Sequence, residues 1–225
     1  MMRKLTLSFD NGPDPACTPD VLDALSERGI GASFFVCAQG DPRVAMAAAT
    51  PESREILCRA IDEGHWLGNH TLTHTLELGT THDIKEIDRE VGDAQRLLGD
   101  LLDERRLFRP YAGGGILGPR CFSPEAVDYL CEHGYTTVMF NCVPRDWERP
   151  EDWPEEAFRQ GEQFDWMLLC LHDLGATGAM RQLPRFLDDC ADRGIEFAQE
   201  YPADCVPIRR GEVVGSLDGL VMRRP

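Results

Sequence analysis

The sequence predicts an α/β fold of six or seven parallel β/α units in one domain, closer to a barrel than to a five-stranded open sheet. Three observations lead there. Short apolar runs alternate with amphipathic segments along the chain, the pattern of strands joined by right-handed helical crossovers. The run "WMLLCL" at 166–171 is apolar without alternation, as a strand covered on both faces must be. The length of 225 residues and the 42% hydrophobic content suffice for one sizeable core and exclude a disordered chain.

The elements follow in order. "KLTLSF" from Lys4 reads as a buried strand. Thr18 reads as a helix N-cap, with Pro19 at the first helical position and Asp20 beside it. "DVLDALSERG" then spaces apolar residues helically and stops at Gly29. "GASFFVC" is the second strand, "PESREILCRAIDEGH" a helix ended by Gly64, and "WLGNH" a short strand running into a loop. "THDIKEIDREVGDAQRLLGDLL" is a third helix, capped by Thr81 or Asp83. "LFRPY" is strand-like, "SPEAVDYLCEHGY" a capped helix and "TTVMFNCV" another strand. "PEDWPEEAFRQGE" is helix or turn, "WMLLCLHD" a strand, "AMRQLPRFLDDCADRGI" a helix and "EFAQ" the last strand. Beyond 200 the rhythm breaks, and Gly-Ser and Asp-Gly pairs suggest a terminal hairpin or an irregular flap. The expected division is a barrel over 1–200 and an extension over 201–225 packed on or near it.

Composition narrows the partners. A formal net charge of -16 argues against nucleic acid, which needs clustered Lys and Arg, and against an anionic membrane surface. No stretch approaches the roughly 20 apolar residues of a membrane span. "MMRKLTLSF" enters the first strand without a signal-peptide core, so the expected location is cytoplasmic. The nine cysteines are scattered and never form C-x-x-C, which suits reduced, buried thiols. The expected partner is a small-molecule or oligosaccharide substrate. Homo-oligomerisation stays open.

Five strand ends carry reactive polar residues: Asp10 and Asn11, His70 and His74, Arg109, Asp146 with Trp147, and His172 with Asp173. A single strand-end histidine is more often structural. Five such ends on one rim differ, because the C-terminal rim of a barrel is where active sites lie. His70 and His74 form an H-x-x-x-H pair, and neutral imidazole is the commonest metal ligand. "HTLTH" is poor helix, so a turn could also converge them. A third ligand and a nearby base would complete the machinery for activating water on a metal.

On these residues the chain resembles the polysaccharide deacetylase family, the NodB-homology domain of carbohydrate esterases. The matching stretches are "SFDNGP", "HTLTH" within "EGHWLGNHTLTH", "RPYAG", "PRDW" and "LCLHD", in the family's order and spacing from about residue 5 to 198. The resemblance implies a distorted (β/α) barrel of about seven units. It implies metal-dependent removal of an acetyl group from a sugar, with Zn²⁺, or Co²⁺ or Ni²⁺. Carried over by position, Asp10 is the general base and His172 the general acid. Arg109 steadies Asp10, and Asp146 tunes His172. His70 and His74 are metal ligands, with Asn11 at the third ligand position. Trp147 and Leu171 line the acetyl pocket, and Tyr111 or its neighbours offer a backbone N–H to the oxyanion.

The chain departs from the family pattern at three points. Asn11 stands where the family has a ligand Asp, replacing a carboxylate with a neutral carbonyl oxygen. That loss weakens attraction to a dication and leaves three outcomes: weaker metal binding, a metal-independent amidohydrolase of the allantoinase-like branch, or a carbohydrate-binding relative without catalysis. By itself Asn-Gly is also a favoured turn dipeptide. Tyr111 and Ala112 stand where the family has Pro and an aromatic residue. The family's wall-modifying members are exported, whereas this chain is expected inside the cell. His65, His82 and His133 match no motif and read as structural or surface residues, Trp153 and Trp166 as packing residues, and Asp14 as a turn residue.

Overall fold

A computed structural model describes residues 2–40 and 45–222. Lys4–Asp10 (β1) is followed by helix Thr18–Ser26 (α1), strand Ser33–Val36 (β2), helix Pro51–Asp62 (α2) and strand Trp66–Asn69 (β3). A broken helical stretch comes next, Ile84–Ile87 (α3) and Ala94–Leu98 (α4), joined by a π turn over Asp88–Asp93. Then come Leu107–Phe108 (β4), Pro124–Glu132 (α5), Thr136–Thr137 (β5), Trp153–Gly161 (α6), Trp166–His172 (β6), Leu183–Asp192 (α7) and Glu196–Ala198 (β7). Two short strands, Ile208–Arg209 (β8) and Glu212–Val213 (β9), form a hairpin that turns at Arg210-Gly211, upstream of the Gly-Ser and Asp-Gly pairs where a hairpin or flap was expected.

Among the described residues, seven strands form one parallel sheet in the order β5-β4-β3-β2-β1-β6, with β7 paired to the start of β1. The sheet curls. Beyond β5, Cys142 bridges to Leu169 of β6, so the two ends of the strand order approach each other. The distorted barrel of about seven units expected from the sequence is the architecture found.

Strand parity divides the core. Leu5, Leu7 and Phe9 of β1 and Met167, Leu169 and Leu171 of β6 point outward into a layer with α1, α2, α6 and α7. The alternate residues point into the barrel, where Phe35, Leu107, Val138 and Leu168 pack together. Burying one such side chain is worth roughly 1.5–3 kcal/mol. A satellite cluster joins α5 to Ile208 of the extension. Ile208 N–H also donates to Thr137 Oγ1 (3.1 Å), and Tyr201 shares a hydroxyl hydrogen bond with Ser33 Oγ (2.7 Å). The last three residues of the extension lie outside the described residues.

Two local expectations change. Thr18 is not the N-cap of α1: Cys17 holds that position, and the Thr18 hydroxyl instead accepts from the Asp14 N–H at 2.8 Å and donates to Asp173 Oδ2 at 2.6 Å. The third helix is not continuous. At Gly92 a Cβ would meet Asp88 Oδ1 at 2.3 Å and the Tyr129 hydroxyl at 2.5 Å, so glycine lets this turn sit against α5. Asp83, one of the two caps expected, accepts from the Lys85 N–H at 2.9 Å. Among the described residues no helix is long and apolar enough to cross a membrane.

Candidate active site

The C-terminal ends of β1, β3, β4 and β6 open into one cavity of about 330 Å³. Asp10, Asn11, His70, His74, Tyr111, Trp147 and His172 all line it.

Asp10 ends β1 on the inner face and is 3% exposed. Arg109, 1% exposed, donates from Nη1 to Asp10 Oδ1 at 2.7 Å. The other donors of Arg109 reach Ser8 Oγ (2.9 Å), the Val138 carbonyl (2.9 Å) and the Met139 carbonyl (3.1 Å), and its guanidinium lies 4.0 Å from the Phe35 ring centroid. This fork of four hydrogen bonds fixes the carboxylate's position. Burial pushes the Asp10 carboxyl up, but Arg109, with His70 and His172, outweighs burial and holds it below the usual carboxylate range.

His70 follows β3 and is also buried. Its Nδ1 pairs with the Arg109 carbonyl at 2.8 Å, so Nδ1 carries the proton and Nε2 keeps its lone pair. Burial lowers the pKa of this ring against the pull of Asp10, and neutral imidazole is the ligating form. Nε2 lies 3.6 Å from Asp10 Oδ2. The His74 ring is centred 4.9 Å from that of His70 and 4.3 Å from that of Tyr111. A turn, not a helix, brings the two histidines together: Thr71 and His74 have φ of 74° and 59°. Asn69 fixes the turn by accepting the Thr71 N–H (2.9 Å) and donating to the Val91 carbonyl in the π turn (2.9 Å). Buried Glu90 accepts from the Thr73 N–H and hydroxyl, each at 3.0 Å. A π turn at such a place is a recurrent functional device.

His172 ends β6. Asp146, fully buried, accepts the His172 backbone N–H through Oδ2 (3.0 Å) and pairs with Nδ1 through Oδ1 (2.9 Å). This fixes the tautomer and leaves Nε2 to the cavity. Burial lowers the imidazole pKa, but Asp146 outweighs it and raises the value. Trp147 stands edge-on to this ring at 4.8 Å.

Asn11 adopts φ 76°, a left-handed conformation that asparagine tolerates. Its N–H donates to the Phe35 carbonyl (3.1 Å) and its carbonyl accepts the Met46 N–H (2.7 Å). Its side-chain Oδ1 is buried without a hydrogen-bond partner among the described residues. A buried orphan acceptor is costly, and a cation satisfies it. With His70 and His74 on the same cavity wall, the donor set fits a divalent ion in number, as two nitrogens and one neutral oxygen.

One expected residue is misplaced. Leu171 does not line the cavity; it is fully buried in the outer layer. The reason is strand parity: with His172 inward, Leu171 must face out. The apolar wall comes instead from Phe140, Val143 and Leu174 beside Trp147. Asp14 is a turn residue, as expected, and its carboxylate accepts the Ala16 and Gly175 N–H groups (2.9 and 2.8 Å). His65 accepts the Ala32 N–H through Nδ1 (3.1 Å), a structural role.

Sequence reasoning missed Cys170, whose thiol donates to Asp10 Oδ2 at 3.3 Å. The signal was available, because Cys170 lies two residues before His172 on one strand and so shares its face. It also missed Ser8, by the same parity from Asp10, and gave Asp173, named at its strand end, no role. Burial pushes the Asp173 carboxyl up to about 6.

A parallel curled barrel whose strand ends carry a clamped carboxylate and a carboxylate-backed histidine defines the class: a (β/α) barrel with a polar site on its C-terminal rim. A family model for polysaccharide deacetylases matches residues 2–116, just over half of the chain. The chain belongs to the polysaccharide deacetylase family. It is 32% identical over 151 residues to a chitooligosaccharide deacetylase of Bradyrhizobium sp. (strain ANU 289), covering 66% of this chain and 60% of that protein. It is 27% identical over 199 residues to a peptidoglycan-N-acetylglucosamine deacetylase of Bacillus cereus, covering 86% of this chain and 84% of that one. The match to the Bradyrhizobium protein thus spans less than two thirds of its length. The fold superposes on a family 4 acetyl xylan esterase from Clostridium thermocellum solved with a cobalt ion, with TM-score 0.67, 21% identity and 87% coverage of each chain.

Proposed function

We propose that this chain is a hydrolase that removes an acetyl group from an N-acetylated sugar. The observation that carries the proposal is the pair of opposed, separately tuned groups on one cavity: Asp10 held ionised by Arg109, and His172 held by Asp146 with a raised pKa. Two titratable groups pushed apart in this way divide into base and acid. Asp10 takes a proton from the attacking water. His172, charged at its Nε2 face, returns a proton to the leaving nitrogen. Asp146 keeps the imidazolium oriented and stabilised. Trp147, Phe140, Val143 and Leu174 hold the acyl methyl and exclude bulk water, which strengthens the charges inside. Tyr111, on the cavity wall, would offer its backbone N–H to the acyl oxygen.

His70, His74 and Asn11 would hold a divalent metal, with Zn²⁺, Co²⁺ and Ni²⁺ as the candidates. Such an ion, when bound, lowers the pKa of water and polarises the acyl carbonyl. The relatives named as chitooligosaccharide and peptidoglycan deacetylases support an N-acetylglucosamine-containing substrate. A cavity of about 330 Å³ lies at the small end of ligand pockets and suits one sugar ring with its acyl group. Nine free thiols, seven of them buried, support a reducing, cytoplasmic setting. The direct test is acetate release from N-acetyl-chitooligosaccharides by the purified protein, with and without chelator. Chelator-sensitive release supports the reading. No release with any added divalent metal rejects it.

A further inference from the structure

We propose a second cation site in this chain, distinct from the Asn11, His70 and His74 set: a thiophilic site built from Asp10, Cys170 and His172. Its occupant is a soft divalent ion such as Cd²⁺ or Zn²⁺.

The geometry is already gathered. One ligand atom from each of Asp10, Cys170 and His172 lies within 4.8 Å of the others. Asp10 and Cys170 are nine-tenths or more buried, and His172 is partly exposed at the cavity mouth. Cys170 Sγ stands 3.3 Å from Asp10 Oδ2. The His172 ring is pre-aimed: its Nδ1 is occupied by Asp146, so it presents Nε2 inward. Carboxylate or carbonyl partners behind ligating histidines are the usual outer shell of a metal site.

Charge and softness argue in the same direction. Asn11, His70 and His74 are three neutral donors, and leave a dication uncompensated. In the second set Arg109 and Asp10 cancel, while the Cys170 thiolate and Asp146 match the two positive charges of the ion. Thiolate with imidazole selects Zn²⁺ and its heavier, softer analogues over hard ions. The binding step involves no redox change. The S–H bond of Cys170 and the Nε2–H bond of the charged His172 break, metal–sulfur, metal–nitrogen and metal–oxygen bonds form, and both protons leave to solvent. Burial holds the thiol protonated in the ion's absence, so Cys170 and Asp10 remain a simple hydrogen-bonded pair until such an ion arrives. An ion seated here takes up both Asp10 and His172. The site is therefore inhibitory, and this consequence alone rests on the catalytic reading above.

The experiment is titration of chelator-stripped full-length protein with Cd²⁺, and with Co²⁺ as a spectroscopic probe. The expected result is a near-ultraviolet sulfur-to-metal charge-transfer band. It should persist in His74→Ala and disappear in Cys170→Ser. Cys170→Ala repeats the test should the serine variant misfold. Cd²⁺ affinity should fall at least about tenfold in His172→Ala, the scale that even an outer partner of a metal ligand carries. The proposal is overturned if wild type shows no such band at saturating metal, if the band survives both Cys170 variants, or if His74→Ala abolishes it. None of these readouts needs turnover, so they stand apart from the acetate-release test.

Discussion

At the level of single residues, the site depends on which atoms are already engaged. Asn11 keeps a buried amide oxygen without a partner among the described residues, so a carboxylate there gains a cation without losing a hydrogen bond to any of them. Asn11→Asp should raise affinity for Zn²⁺, measured by isothermal titration. Equal affinity would remove position 11 from the ligand set. His172→Ala should lower kcat by about 10²-fold or more, the usual contribution of a general acid, with near-normal melting behaviour. Arg109 differs in kind. Its four donations and its ring contact are all internal, so Arg109→Met leaves the Asp10 carboxylate buried and unpaired. Breaking a buried pair in this way costs about 3–5 kcal/mol, which urea unfolding would register along with loss of activity. Most of these residues were legible in the sequence, because family motifs sit at strand ends. Leu171 was not placed correctly, because a motif supplies position in the chain but not the face of the strand. Cys170 was overlooked for the same reason: it lies inside the "LCLHD" stretch, but only parity with His172 turns it toward the cavity.

At the level of elements, two joints hold the rim. One is the turn carrying His70 and His74, pinned by Asn69 and Glu90 to the π turn between α3 and α4. Glu90→Ala removes a charged acceptor from Thr73 and should cost about 1.5–3 kcal/mol, with weaker metal binding in the same titration. The break in the third helix was illegible from periodicity, since it accompanies the close approach of Gly92 to the Tyr129 hydroxyl of α5, a tertiary contact. The other joint ties the β6 end to α1 through Asp173 and Thr18 (2.6 Å). Burial on folding raises the Asp173 pKa above the usual carboxylate range, to about 6. The native state therefore binds this proton more tightly than the unfolded chain. Stability from this group is full below about pH 4 and declines as pH rises to about 6, by roughly 3 kcal/mol at 1.36 kcal/mol per pKa unit. Asp173→Asn should flatten that decline in urea-unfolding curves recorded across the window. An unchanged slope would show that Asp173 is not its source. The Thr18 hydroxyl, expected as a cap, is absorbed by this joint because it sits between Asp14 and Asp173 in space, a pairing that sequence distance hides.

At the level of the whole molecule, alternation of strands and helices made the barrel legible, and its closure was not. Closure runs through single contacts such as Cys142 with Leu169, which no local pattern announces. The extension was equally hard to place: its hairpin turns at Arg210-Gly211, not at the Gly-Ser or Asp-Gly pairs that suggested one. Ile208, buried with Phe108 and Tyr135, ties it to the outer wall of the barrel. A chain ending at Tyr201 should melt several degrees lower and expose apolar surface to a hydrophobic dye, since losing about 1 kcal/mol shifts the midpoint of a domain this size by about 2–4 °C. Unchanged melting would show the extension to be dispensable.

Arg109 also bears on how such a chain ages over generations. The guanidinium that positions the base is also a strut between β1, the start of the β4 loop and the segment beyond β5. A descendant released from selection on turnover would still be purged if it lost this arginine, because it would unfold. His172, tied to its surroundings by one carboxylate, could drift much sooner. Among inactive descendants, arginine at 109 should outlast histidine at 172, and its survival would testify to folding rather than to catalysis.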